Sequence, residues 1–144
     1  MRFMIIRKAD KDTEAGVMPT QELIDAMGKY DEELVRAGVM LAGEGLQPSA
    51  KGARVRFDGG KATVTDGPFP ETKELIAGFT MIEVASRAEA LEWVKKWPPL
   101  DAVGGLELEI RQVFEAEDFG EAFTPEARAA EERMREQLRD AGKR

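Results

Sequence analysis

The sequence predicts an α+β protein, and three observations carry that reading. Short apolar runs of strand character recur from residue 2 to residue 111. Two stretches between them place apolar residues at helical spacing. Asp58-Gly59-Gly60, flanked by two strand-like runs, marks an inserted hairpin. In chain order the elements are strand, helix, strand, hairpin, strand, helix, strand and a tail helix. Without the hairpin and the tail this is the β-α-β-β-α-β order of ferredoxin-like folds.

The first strand covers Arg2 to Arg7, with Phe3 and Ile5 on one side and Met4 and Ile6 on the other. A helix follows, with Thr20 as N-cap and Glu22 in the first turn. Leu23, Met27, Tyr30 and Leu34 form its stripe, and Ile24 and Val35 widen it. Gly28 inside it costs stability unless the helix packs closely there. Gly38 ends it. Val39 to Gly43 is a short strand, Ala53–Phe57 and Lys61–Thr65 are the hairpin arms, and Gly78 to Val84 is the next strand.

Ser86 opens the second helix, with Glu89 at capping-box spacing. Ala90, Val94 and Trp97 are its buried stripe, and Pro98-Pro99 stops it. Leu106, Leu108 and Ile110 alternate with Glu107, Glu109 and Arg111 in the last strand. Thr124-Pro125-Glu126 then caps a tail helix with a thin apolar face of Ala127, Ala130, Met134 and Leu138. Two helices cover one face of a four-stranded sheet, yet the first strand is apolar on both. A second copy, packed sheet to sheet about a two-fold axis, is expected to cover the other face.

The chain has 144 residues, enough for one domain with an added tail. Charge becomes dense after Val113, so residues 1–114 are read as the folded protomer and 115–144 as a charged helical extension. There is no cysteine, which excludes disulfides, zinc–thiolate sites and a Cys nucleophile. There is no histidine, which removes the usual general base and the commonest metal ligand. Lys and Arg number 21 against 28 Asp and Glu, a net charge of −7, and the basic residues are interleaved with acids. Neither a nucleic acid nor a membrane surface is the expected partner. No apolar run is long enough to cross a bilayer. The N-terminus is too short and too soon charged for a secretory signal, so a cytoplasmic location is expected. Gly43-Glu44-Gly45 lacks the Gly-Lys-Ser/Thr of a phosphate cradle, and no carboxylate spacing argues for a metal. No cofactor is therefore expected.

The distinctive stretch is Thr65-Asp66-Gly67-Pro68-Phe69-Pro70-Glu71-Thr72-Lys73-Glu74. Asp66-Gly67 is turn chemistry, and Pro68 and Pro70 stiffen the chain on both sides of Phe69. A rigid aromatic beside acids and a lysine suits a binding loop, and it equally suits a loop packed on a neighbouring subunit. In the functional reading Asp66 or Glu71 is a general base and Lys73 stabilises an enolate or carboxylate. Glu44 faces the same cleft from the end of the second strand. Arg54, on one hairpin face with Arg56, binds an anion, and Phe69 and Tyr30 line the cleft. Each has a structural reading as well. Asp66 caps its turn, Lys73 pairs with Glu71 or Glu74, Glu44 fills a bend, Arg54 and Arg56 are solvated, and Tyr30 is core.

Asp66-Gly67-Pro68-Phe69 followed by Glu71-Thr72-Lys73-Glu74 resembles the signature of the DGPF branch of the YCII-related proteins. Ala42-Gly43-Glu44-Gly45-Leu46 with Pro48, and Gly78-Phe79, are similar to further stretches of that family. The resemblance covers roughly residues 1–114 and implies a dimeric α+β barrel built on a ferredoxin-like protomer. Related branches include a dehydrochlorinase of a chlorinated hydroquinone, and the same barrel architecture hosts muconolactone isomerases and cofactor-free monooxygenases. Some members carry a His–Asp pair proposed to be catalytic, which a chain without histidine does not have. The branch also resembles proteins associated with extracytoplasmic-function sigma factors.

Two functions are consistent with these residues. One is a cofactor-independent isomerase or lyase acting on a small anionic or aromatic molecule. The other is a non-catalytic ligand-binding or regulatory homodimer, in a sigma-factor setting.

Overall fold

The computed structural model describes residues 1–142. They divide into a unit of Met1–Gln112 and a second that begins at Val113. In chain order the first unit holds β1 (Arg2–Lys8), a one-turn helix α1 (Lys11–Glu14), α2 (Gln21–Arg36), β2 (Met40–Gly45), β3 (Ala53–Asp58), β4 (Lys61–Asp66), β5 (Ile76–Glu83), α3 (Arg87–Lys95) and β6 (Leu108–Gln112). Four strands form one antiparallel sheet in the order β2-β5-β1-β6, and β3 and β4 pair separately as a hairpin.

The register explains the core. β1 is central, with Phe3 opposite Ile82 and Gln112, and Ile5 opposite Thr80 and Ile110. Phe3, Ile5 and Ile82 turn to the helices, where Tyr30 and Leu34 of α2 and Ala90 of α3 complete a buried cluster. Ile5, Leu34 and Ile82 are fully enclosed, and each contributes roughly 1.5–3 kcal/mol by leaving water. On the other face Met4 lies opposite Met81, and Ile6 opposite Phe79. These four are only partly buried.

The helix ends follow the capping chemistry of the sequence. Thr20 Oγ1 accepts from Leu23 N at 3.2 Å, and Ser86 Oγ accepts from Glu89 N at 3.1 Å. Glu89 reaches back to Ala85 N rather than to the Ser86 amide. Gly38 takes a positive φ of 73°, and the amides of Gly38 and Val39 close onto the carbonyls of Val35 and Leu34. Ile24 and Val35 do not widen the buried stripe: both are more than half exposed. A helix on a sheet buries one face, and these two lie at its edge. The Gly59-Gly60 turn has positive φ at both residues, the geometry of a tight two-residue hairpin.

α1 has no counterpart in the apolar pattern. Asp10 Oδ1 accepts from Thr13 N and Thr13 Oγ1 accepts from Asp10 N, both at 2.8 Å, a reciprocal cap.

In the second unit, a 3-10 segment from Ala116 to Ala122, kinked at Gly120, and its flanks carry three aromatic rings in sequence. Phe114 and Phe119 lie 4.8 Å apart between centroids, and Phe119 and Phe123 5.7 Å. Thr124 Oγ1 then caps α4 (Pro125–Gly142) by accepting from Ala127 N. No residue of α4 is buried, and Arg135 meets Glu131 at 2.8 Å, an i,i+4 pair. Among the described residues no helix is long and apolar enough to cross a membrane.

Candidate functional site

The signature loop is fastened at its root. Gly67 N donates to Gly52 O at 2.9 Å, and the Gly67–Pro68 peptide is cis. A Cβ at Gly67 would lie 1.8 Å from the carbonyl oxygen of Ser49, so no side chain fits there. Ser49 also accepts the amide of Phe69 on its Oγ at 3.0 Å. Its own amide and hydroxyl donate to the Glu14 carboxylate at 2.9 and 2.5 Å. Three segments thus meet at Ser49: the end of α1, the turn after β2, and the loop after β4. Gly78 packs against Glu44 and Gly45 at the other end of the same turn, where a Cβ would come within 2.9 Å of Glu44 O. Gly67 and Gly78 are therefore sites of close backbone approach, whereas a Cβ at Gly45 would meet nothing within 4 Å.

From that root the sequence-predicted residues diverge. Arg54 and Phe69 come together: the guanidinium lies 3.9 Å from the ring centroid. Asp66 ends β4 opposite Ala53 and is exposed. Glu71 precedes the short turn Thr72–Glu74 and is exposed, with its carbonyl accepting from Glu74 N. Glu44 pairs with Phe79 and is exposed on the sheet face away from the helices. Tyr30 is 3% exposed on the helix side. Its hydroxyl donates to Trp93 O at 2.7 Å and its ring leans on Trp97 at 5.4 Å. Burial, then the charges of Asp31 and Glu33, push its phenol up to about 12.

Of the predicted residues, Lys73 lines a cavity at the end of β1. The cavity is about 540 Å³, half-open to solvent, and is lined with it by Lys8, Ala9, Asp10, Leu106 and Glu107. The end of β1 builds it. The register between β1 and β5 slips between Arg7 and Lys8, a bulge that re-aims the strand end. Lys8 N then donates to Glu107 O at 3.3 Å on one side, and Ala9 N to Leu75 O at 3.0 Å on the other. The second bond holds the turn that carries Lys73. Gly104 and Gly105, both at positive φ, bring the chain round to Leu106 and Glu107.

Arg7 fixes Asp10, one of the lining residues, to the body of the unit. It meets Asp101 at 2.9 and 3.1 Å and Asp10 at 3.2 Å. Trp97 Nε1 donates to the same Asp101 carboxylate at 2.9 Å. Burial works to lower the Arg7 pKa, but the bonds and charges of Asp101, then Asp10, outweigh it and hold the guanidinium above its ordinary value. Burial likewise works to raise the Asp10 pKa. The Thr13 amide and the Arg7 charge outweigh it, so Asp10 stays below the usual carboxylate range.

Lys8, Asp10, Glu107 and Ser49 were not among the residues singled out from the sequence. The Lys8-Ala9-Asp10 run at a strand end and the Gly104-Gly105 turn before Glu107 were the available signals. Ser49 has none, because its partner Glu14 is 35 positions away. Among the described residues no group of three or more acids is gathered as a metal would need.

A four-stranded antiparallel sheet with helices on one face and a glycine-locked loop defines an α+β protein of the YCII type. The chain belongs to the YCII-related family, whose domain model matches residues 1–117. An uncharacterised protein of Rhizobium meliloti (strain 1021), R00369, is 41% identical over 69 residues, 48% of this chain. That match spans 56% of the relative's own length. Among solved structures, the chain is similar to 5-chloro-2-hydroxyhydroquinone dehydrochlorinase from Burkholderia phenoliruptrix AC1100, in complex with 2,5-dihydroxybenzoquinone. The identity is 17%, the TM-score 0.45, and the match covers 80% of this chain and 95% of that one.

Proposed function

We propose that the protein acts on a small molecule without a cofactor, as a lyase or isomerase working by proton transfer. The observation that carries this is the placement of Lys73: the signature loop is locked at Ser49 and delivers that lysine to a cavity it shares with the carboxylates of Asp10 and Glu107. A lysine there stabilises negative charge developing on a substrate oxygen, and a carboxylate takes the proton. The working form is a homodimer of ferredoxin-like protomers joined through their sheets. The strand order supports the protomer reading, and the half-buried Met4, Ile6, Phe79 and Met81 support the pairing.

The test is a turnover screen of small carboxylic acids and phenols with the wild-type chain and Lys73→Met. The variant should lose at least a hundredfold in kcat/KM while light scattering still reports the dimer. Full activity in the variant refutes the role of Lys73, and a well-folded monomer at micromolar concentration refutes the dimer. The second reading, a ligand-binding or regulatory homodimer without turnover, draws on the loop itself. Phe69 is occupied by Arg54 and Ser49, and Asp66 ends an exposed strand. It predicts binding in the same screen with no product.

A further inference from the structure

The charges around the Lys73 cavity are not equally available. Asp10 is already committed: its carboxylate accepts from Thr13 N at 2.8 Å and meets Arg7 at 3.2 Å. The side chains of Lys8, Lys73 and Glu107 have no hydrogen-bond or ion-pair partner among the described residues. The cavity lining thus includes two lysines and one glutamate whose charged groups are free to meet a ligand, beside the apolar Leu106 and Ala9.

From this we infer that the cavity binds a small organic anion that also carries a hydrogen-bond donor, such as a hydroxy acid. The two ammonium groups of Lys8 and Lys73 take the anionic end, a point-charge contact that tolerates different carboxylate orientations. Glu107, an acceptor when ionised, takes a hydroxyl or ammonium on the same molecule. A dianion lacking a donor leaves Glu107 facing negative charge, which is why selection runs toward the hydroxylated ligand. A neutral phenol gains nothing from the lysines. The volume of about 540 Å³ admits a molecule of this size and excludes a polymer from full enclosure.

This rests on the reading of the Lys73 cavity as the working site, and it narrows the substrate class while adding Glu107 to the groups that touch it. The test reads binding, not turnover. Amide shifts of the isotopically labelled full chain are followed while L-malate, succinate and neutral phenol are titrated in turn at low salt. L-malate should perturb Ala9, Leu106 and Glu107, bind at least threefold tighter than succinate, and weaken as salt rises. Lys73→Met should weaken L-malate at least fivefold, Lys73→Arg should restore most of it, and Glu107→Gln should erase the preference over succinate. No perturbation at these residues at tens of millimolar L-malate overturns the inference. So does unchanged affinity in both Lys73→Met and Lys8→Met. Anion binding with no product in any screen leaves the inference standing and refutes the enzyme reading. Product formed from an uncharged molecule alone does the reverse.

Discussion

Ser49 Oγ accepts the backbone amide of Phe69 at 3.0 Å, twenty positions along the chain. One hydroxyl thereby sets the path of the signature loop. The Glu14 carboxylate behind it keeps that hydroxyl oriented, since the same oxygen donates to Glu14. A charged acceptor makes this the stronger of the two bonds. The loop's rigidity comes from Ser49 and Gly67 together, one supplying the bond and the other the space.

Both halves of that arrangement are testable by stability. Ser49→Ala leaves the Phe69 amide without its acceptor and takes from the Glu14 carboxylate one of its two bonds to Ser49, and should cost about 1–3 kcal/mol in denaturant unfolding. Gly67→Ala drives a methyl into the Ser49 carbonyl and should cost about 3 kcal/mol or more, because backbone rather than a side-chain end has to move. Midpoints within error of the wild type for either variant contradict this account.

Gly28 gives the opposite sign. It lies in the middle of α2 and a Cβ there meets nothing within 4 Å. The close packing that would justify a helical glycine is absent. Gly28→Ala should therefore raise stability by about 0.5–1 kcal/mol, seen as a higher thermal midpoint.

Tyr30 is the single tyrosine of the chain, so its ionisation is visible directly in the tyrosinate absorbance band. Its folded pKa of about 12 stands above the ordinary value of about 10. The native state thus favours the neutral phenol. That stabilisation is fully present below pH about 10 and is lost as pH rises toward about 12, a loss of ~3 kcal/mol. The absorbance should appear late, together with alkaline unfolding, and Tyr30→Phe should flatten that alkaline limb. A titration centred at the ordinary value contradicts the burial seen here.

Asp10 governs the acid side. Its folded pKa lies below the unfolded value, so its contribution is present above the usual carboxylate range. It is lost as pH falls through the folded value. Asp10→Asn keeps a side-chain acceptor for Thr13 and removes the charge facing Arg7. The variant should be less stable at neutral pH, and its stability should fall less steeply in acid. Parallel acid limbs for the two proteins would point to another carboxylate.

Much of the fold was legible because the pattern was local. The alternation of Phe3 to Ile6, the Leu23–Leu34 stripe, the Thr20, Ser86 and Thr124 caps and the Gly59-Gly60 turn each lie within one element. α1 was missed because four residues are too few for an apolar period to show. Ile24 and Val35 were over-read because a stripe does not say how wide its contact is. The candidate site was legible as a stiff loop, but the stacking of Arg54 on Phe69 was not, since the two lie on different segments, fifteen positions apart. That Lys73 would share a cavity with Lys8 and Glu107 was not legible either, since those residues are joined through the two flanks of β1 rather than along the chain. Asp66, Glu71 and Glu44 share the loop or the motif with Lys73 but not its cavity.

The bond between Arg7 and Asp101 closes 94 positions of chain. Both side chains are about one-tenth exposed, so water is a poor substitute for the bond. A bridge of that span rewards the chain only after β1, α3 and the turn beyond Pro98-Pro99 are all in place. It therefore works as a check on completeness. A first unit that stops short of Asp101 retains the residues of β1, β2 and β5 but leaves Arg7 with Asp10 in place of two carboxylates, and partial assembly is penalised beside the lining residue Asp10.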